Sequence, residues 1–336
     1  MTDIAIPAGT RVLITGATGF TGTALTRLLL SHGAVVCAIA RPSSNLAPLA
    51  GTPVEWVRGE VDDPATIRTA ARDVQYIFHV AAAYRHAGVS DDVYERVHVR
   101  STERLAREVA GRSEFQRFVF VSTIGVHGHI ASPPGNEDTP FAPGDLYQRT
   151  KAEAETWLRD EAATLGLPYT IVRPCAIYGP GDTRLLKVFR MAARGWFLAL
   201  GTGRTLYHLV HVDDLVAIIE RAALHPRALS RAFIAGASEP IRLDDMAHTI
   251  GGSLGRTVRI VRCPAGPVFV LADLCERVCK PLGLEPPLHR RRVAFYTKDR
   301  AFDTSRVRRE LGYECRVSNA DGLASTARWY KEQGWL

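Results

Sequence analysis

At 336 residues the chain has room for one large or two closely joined domains and a sizeable core. With 46% hydrophobic and 23% charged residues and no low-complexity tract, it reads as folded, and disorder is excluded as an explanation. The net charge of +7 favours anionic ligands. Its basic residues are scattered apart from Arg290, Arg291 and Arg292, and without a basic stripe interleaved with aromatics a nucleic-acid role is not expected.

Strands and helices alternate from the start. "RVLITG" is a β-branched run, "ALTRLLLSHG" a helix and "AVVCAIAR" a second strand, which makes one βαβ unit. The rhythm continues through the strand "VEWVRGEV", the helix "DPATIRTAAR", the strand "VQYIFHVAA", the helix "VYERVHVRSTERLAREVAG" and the strand "FQRFVFVST". A helix from Tyr147 to Thr164 and the strand "PYTIVRP" complete it. Continuous apolar strands between helices predict an α/β fold, a doubly wound parallel sheet of Rossmann type covered on both faces. After Pro174 glycines become frequent and βαβ units fade, while "RAFIAGA" reads as a late strand returning to the sheet. The expected division is a dinucleotide-binding domain over 1–176 with 209–237 returning to it, and a smaller, partly interwoven substrate domain over 177–208 and 238–336.

Between the first strand and its helix stands "TGATGFTG", with Gly16, Gly19 and Gly22 in G-x-x-G-x-x-G spacing and Thr18 and Phe20 between them. Glycines there permit a tight turn, approach of backbone N–H groups to a pyrophosphate, and close packing of helix on strand. At the end of the second strand "AIARPSSN" offers Arg41, Ser43 and Ser44 where a free ribose 2′-hydroxyl would call for a carboxylate. A guanidinium suits a 2′-phosphate, so NADP(H) is the expected cofactor, with NAD(H) the alternative.

"DLYQRTKAE" puts Tyr147 and Lys151 four apart, on one helix face. Bringing a phenol from a pKa near 10 to about 7 takes roughly 4 kcal/mol of phenolate stabilisation, which a neighbouring ammonium helps to supply. Upstream, "FVFVSTIGVHG" ends a strand in Ser122 and Thr123, whose hydroxyls would emerge at the same sheet edge.

Cysteines at 37, 175, 263, 275, 279 and 315 lack metal-site spacing and read as reduced thiols; Cys275 and Cys279 would share a helix face, and no metal is expected. The N-terminal stretch has no leader-like pattern and no run approaches the roughly 18 to 20 apolar residues of a membrane span, so a cytoplasmic protein is expected. "GPVFVLADLCERV", from Gly266 to Val278, is amphipathic; burial against the core is its expected fate and peripheral membrane contact the alternative.

Glycine loop, hydroxyl and Y-x-x-x-K in that order resemble the short-chain dehydrogenase/reductase superfamily, in the extended branch with nucleotide-sugar epimerases, dihydroflavonol reductases and 3β-hydroxysteroid dehydrogenases. "FHVAA", "RPCAIYGPGD" and "AFDTSRVRRELGY" extend the resemblance over nearly the whole chain. It implies Thr123 as the catalytic hydroxyl, Tyr147 as general acid/base, and Lys151 as the group that lowers the tyrosine pKa and positions the ribose. It also implies cofactor contacts from Glu60, Val61, Ala81, Ala82, Ser122, Pro174 and Ile177, and a homodimer, common in that family.

Departures narrow the substrate. His98, in "HVRST", stands where the family has an asparagine, as a replacement relay or a packing residue. Ile124 and Gly125 stand where family dehydratases carry an acid and a base, which argues against water elimination. Tyr207 replaces an arginine that pairs with nucleotide-sugar diphosphates, although Arg184, Lys187 or Arg204 could substitute. Tyr84, His127, Tyr178 and Tyr207, with Trp196, could instead line an apolar cleft. The leading expectation is an NADP(H)-preferring oxidoreductase of a secondary alcohol or ketone on a bulky, weakly charged, steroid-like or alicyclic small molecule. A nucleotide-sugar 4-epimerase with retained NAD is the alternative, and a cofactor-sensing binding protein the third reading.

Overall fold

A computed structural model describes residues 4–83, 90–279, 293, 297 and 299–336. Its centre is β1 (Arg11–Thr15), where Val12 and Ile14 face one layer and Leu13 the other, as the two-residue period of a strand requires. Around it lie β2 (Val35–Ala40), β3 (Glu55–Arg58), β4 (Tyr76–His79), β5 (Arg117–Val121), β6 (Tyr169–Pro174) and a late strand, β11 (Arg231–Ala235). All seven run parallel in the order β11-β6-β5-β4-β1-β2-β3. The stretch "RAFIAGA" does return to the sheet, with Phe233 in register with Val172.

Both faces are covered, which is why the strands are apolar on both sides. One layer holds α1 (Phe20–Ser31) and α7 (Val212–Leu224), packing Leu25, Leu29, Leu215 and Ile218 on Val12 and Ile14. The other holds α2 (Pro64–Ala70), α4 (Ser101–Val109) and α5 (Leu146–Leu165), packing Ile67, Leu105 and Leu158 on Leu13 and Ile39. Strand order reverses between β1 and β4, and the crevice beyond their carboxyl ends is where ligands of such sheets bind.

The helix expected upstream of β5 is interrupted. After α3 (Asp91–Tyr94) the residues Glu95–Arg100 form a π-helical segment before α4 begins. Ser101 and Thr102 there turn their hydroxyls back onto the carbonyls of Val97 and His98.

Beyond β6 the chain forms two-stranded ribbons: β7 (Ala176–Tyr178) with β10 (Leu209–His211), β8 (Trp196–Leu200) with β13 (Arg259–Cys263), and β9 (Leu206–Tyr207) with β12 (Ile241–Arg242). With α6 (Leu186–Ala193), α8 (Leu243–Ser253) and a C-terminal helix, α11 (Asn319–Glu332), they enclose a separate core containing Phe189, Phe197, Met246, Ile250, Leu323 and Tyr330. The C-terminal stretch is clipped to α7. Asp214 accepts hydrogen bonds from the Tyr313 hydroxyl at 2.8 Å and from the amides of Arg316 and Val317 at 2.7 and 3.0 Å. Just before it, α10 (Ser305–Leu311) offers the carbonyl of Leu311 to Arg221.

The amphipathic stretch forms α9 (Ala265–Cys279), and the expected burial holds for one side of it: Ala265, Val268, Phe269 and Ala272 pack with Leu200 and Val293, while a second apolar side faces outward. Ala272 is buried, Asp273 and Glu276 are half-buried and engaged in contacts of their own, and Val270, Leu271, Leu274 and Val278 face outward. Arg290, Arg291 and Arg292 lie outside the described residues. Among the described residues no helix is long and apolar enough to cross a membrane.

Candidate active site

The glycine loop is built so that no side chain fits. Gly16 has φ +73°, and a Cβ there would lie 2.8 Å from the backbone of Ala81 at the end of β4. A Cβ on Gly22 would lie 2.0 Å from the Gly16 carbonyl oxygen, so the first turn of α1 rests directly on the loop. Gly19 caps α1 with its own amide turned back to Gly16, and the N–H groups of the first helical turn are left for an outside acceptor. Backbone donors at a helix N-terminus suit a pyrophosphate, so these residues fit a dinucleotide. Phe20 is half-buried at the start of α1, and the Arg184 guanidinium lies 5.6 Å over its ring.

Arg41 leaves the end of β2 into solvent, in a turn closed by the Ser44 amide on the Arg41 carbonyl, with Ser43 exposed at its tip. A second guanidinium meets this turn. Arg58, in register with Ala40 on the neighbouring strand, donates to the Pro42 carbonyl at 2.7 Å. The sequence reading missed it, although its place at the end of "VEWVR" was the available signal. Just beyond, Glu60 is exposed and Val61 buried.

At the end of β5, Thr123 Oγ1 accepts the Gly125 amide at 3.0 Å and keeps its own hydroxyl proton to donate. Asp145 caps α5 by accepting the Gln148 amide, which starts the helix just ahead of Tyr147. A Cβ on Gly125 would lie 3.0 Å from Gln148 Cγ and 3.3 Å from Thr123 Oγ1, so the first turn of α5 packs against the turn that carries Thr123.

Lys151 is buried one helical turn further on. Its Nζ donates to the Val121 carbonyl at 2.9 Å and the Ala81 carbonyl at 3.4 Å, and it stands 4.7 Å over the Phe120 ring. Burial brings its pKa down to about 7, opposed by the charge of Glu155. The lysine thereby joins α5 to the ends of β4 and β5, with one ammonium hydrogen beyond those two carbonyls.

His98 has no free nitrogen. Its Nε2 accepts the Ala83 amide at 3.0 Å, which leaves the proton on Nδ1 to donate to Thr150 Oγ1 at 2.7 Å. Burial, with Lys151 adding to it, drives its pKa down to about 2. A neutral ring with both nitrogens bonded is a clamp rather than a relay; it ties the segment after β4 to α5 and sets its edge against Tyr147 at 5.3 Å. His79, also missed from sequence, makes a parallel tie, with Nδ1 2.7 Å from Thr15 Oγ1 and Nε2 3.1 Å from Ser101 Oγ. Thr15 Oγ1 in turn accepts the Ala81 amide.

Three of the expected substrate contacts, His127, Tyr178 and Tyr207, are buried. The Arg173 guanidinium donates to His127 Nε2 at 3.1 Å and is paired with Glu155, while Phe141 and Phe302 flank the histidine ring, so His127 belongs to a buried ionic cluster beneath β5. Tyr178 is buried edge-on to His211, and a Cβ on Gly322 would lie 2.1 Å from its hydroxyl, which packs it under α11. Tyr207 is buried in the ribbon core with the Arg300 guanidinium 5.6 Å over its ring. Tyr84 lies outside the described residues, and Trp196 is exposed on the outer side of β8. Of the remaining expected contacts, Ala81 and Ala82 follow β4, Thr18 lies in the glycine loop, Ser122 is buried at the end of β5, Pro174 ends β6, and Ile177 is half-buried on β7.

The sequence model of the NAD dependent epimerase/dehydratase family matches residues 12–236. Sterol demethylase protein B of Methylococcus capsulatus is 32% identical over 333 residues, spanning 96% of this chain and 99% of its own. The 3 beta-hydroxysteroid dehydrogenase/Delta 5-->4-isomerase of Mycobacterium tuberculosis is 29% identical over 337 residues, spanning 95% of this chain and 90% of its own. Among solved structures, gox2253 superposes with a TM-score of 0.81 at 25% identity, covering 98% of this chain and 100% of that one.

Proposed function

The chain belongs to the NAD-dependent epimerase/dehydratase family, and from that membership we propose an NADP(H)-preferring oxidoreductase acting on a secondary alcohol or ketone of a bulky, weakly charged, steroid-like or alicyclic substrate. The observation that carries the reading is the meeting of the Thr123 turn with the first turns of α5, which bear Tyr147 and Lys151, beside the glycine cradle. When bound, the nicotinamide supplies or accepts the hydride.

The chain's own residues do the rest. Gly16, Gly19 and Gly22 leave backbone donors for the pyrophosphate, while Arg41 and Arg58, with Ser43 and Ser44, meet the 2′-phosphate. Glu60 and Val61 flank the adenine side, and Ala81, Ala82, Ser122, Pro174 and Ile177 form the walls. Lys151 gives its remaining hydrogen to the ribose. Thr123 donates to the substrate oxygen, and Tyr147 takes that oxygen's proton in the oxidative direction and returns it in the reductive one. The steroid-related names of two relatives, and a tyrosine in place of a diphosphate-binding arginine, support the substrate class.

A nucleotide-sugar 4-epimerase with retained NAD is the second reading, favoured by Arg184, a cation over Phe20 beside the glycine loop. Absorbance of the reduced nicotinamide distinguishes the two when the protein is offered NADP(H) or NAD(H) with steroid, alicyclic and nucleotide-sugar panels. Net oxidation or reduction of a steroid or alicyclic compound with NADP(H) is expected. No net change, with a nucleotide sugar inverted among the products, would replace this reading by the second.

A further inference from the structure

The outward face of α9 is apolar where a solvated helix is polar. Val270, Leu271, Leu274 and Val278 are 68%, 57%, 57% and 53% exposed, and with Gly266, Pro267 and Arg277 they fill one exposed arc of roughly 140° at a helical period. No carboxylate lies in that arc, since Asp273 and Glu276 are half-buried outside it. The strand leading into the helix continues the pattern. On the outer side of the β8–β13 ribbon Trp196 pairs with Arg259 and Leu198 with Val261, and all four are exposed. From Met246 to Ala272 the chain contains Arg256, Arg259 and Arg262 and not one Asp or Glu.

We propose that α9, with the adjoining β8–β13 ribbon, docks the protein on an anionic lipid bilayer surface. Apolar side chains on one helix face enter the headgroup and acyl boundary, arginines beside them meet lipid phosphates, and an exposed tryptophan is at home at that depth. The net charge of +7 acts in the same direction, by attraction to an anionic surface. A second copy of the chain fits the patch less well. A two-fold contact sets the same surface against itself, which would bring the ribbon arginines, from a stretch that holds no acid between Met246 and Ala272, towards their own counterparts. The proposal uses none of the residues placed at the candidate active site and holds for any substrate.

Co-sedimentation of the full chain with vesicles tests it, using phosphatidylcholine alone against equal parts phosphatidylcholine and phosphatidylglycerol. The protein should pellet with the mixed vesicles and not with phosphatidylcholine alone, and salt should weaken the binding. The exposed double substitution Leu271→Asp with Leu274→Asp should reduce vesicle binding by about tenfold or more, with circular dichroism and NADP(H) binding unchanged. Failure to bind mixed vesicles, or equal binding by the double variant, would overturn the proposal. So would sedimentation velocity showing a dimer that the double variant dissolves, which would assign the face to a second copy.

Discussion

In the seven-stranded sheet most strands lie beside the next strand of the chain, whereas each ribbon beyond it joins strands with others between them: Ala176 with Leu209, Tyr207 with Ile241, Trp196 with Arg259. The first region puts its chemistry on backbone and short-range spacing, in the glycine loop, the Thr123 turn and the two turns of α5. The second is held by a core of its own and carries little that is charged inside. In the proposed reading, cofactor handling and proton transfer both rest on the first region.

Substitutions on each side sharpen that contrast. Tyr147→Phe should lower turnover by about a thousandfold while leaving NADP(H) affinity unchanged in a fluorescence titration, since it removes the proton carrier and little else. Turnover near that of the wild type would remove the proposed chemistry. Gly22→Ala forces a methyl group onto the Gly16 carbonyl, and NADP(H) affinity in the same titration should fall by about a hundredfold.

Lys151→Met should make the protein more stable. Its pKa is lowered from 10.5 to about 7, so below pH 7 the folded state carries the full cost of a buried ammonium. Between pH 7 and 10.5 the folded state has shed a proton the unfolded chain still holds, and stability rises with pH through that window. Urea denaturation should therefore show the variant ahead at acid pH, with the gap narrowing by about 5 kcal/mol between pH 7 and 10.5, and turnover lost throughout. A gap that is absent or widens with pH would contradict the burial cost.

Arg58→Ala should cut the preference for NADPH over NADH by about tenfold in competitive titration; an unchanged ratio would leave Arg41 as the sole phosphate partner. The smallest effect belongs to the other region. Phe197→Leu, in the ribbon core, should cost about 1 kcal/mol of stability and shift NADP(H) affinity by less than about twofold. A large loss of cofactor affinity there would mean that the two regions are not separable in this way.

The sequence made legible what depends on spacing within one element or one loop. Gly16, Gly19 and Gly22 declare a cradle by their spacing, and Tyr147 and Lys151 a shared helix face. The clamps at His98 and His79 were not legible, because their partners Ala83, Thr150, Thr15 and Ser101 come from other elements. Arg58 reaches the Arg41 turn only through the pairing of β3 with β2. His127, Tyr178 and Tyr207 show the converse limit: an aromatic side chain announces apolar surroundings, not whether a cleft or the core provides them. The outward face of α9 was hidden for the same reason, since the helix carries apolar residues on two sides and periodicity does not say which of them the core takes.

Asp214 does more than end a loop neatly. Because Tyr313, Arg316 and Val317 all spend their donors on this one buried carboxylate, the C-terminal stretch and α7 cannot separate without leaving an uncompensated charge in the interior. The end of the chain thus acts as a clasp. It couples the fate of the last helix to that of a helix lying on the central sheet, so partial loosening is disfavoured and melting becomes a concerted event shared by both regions.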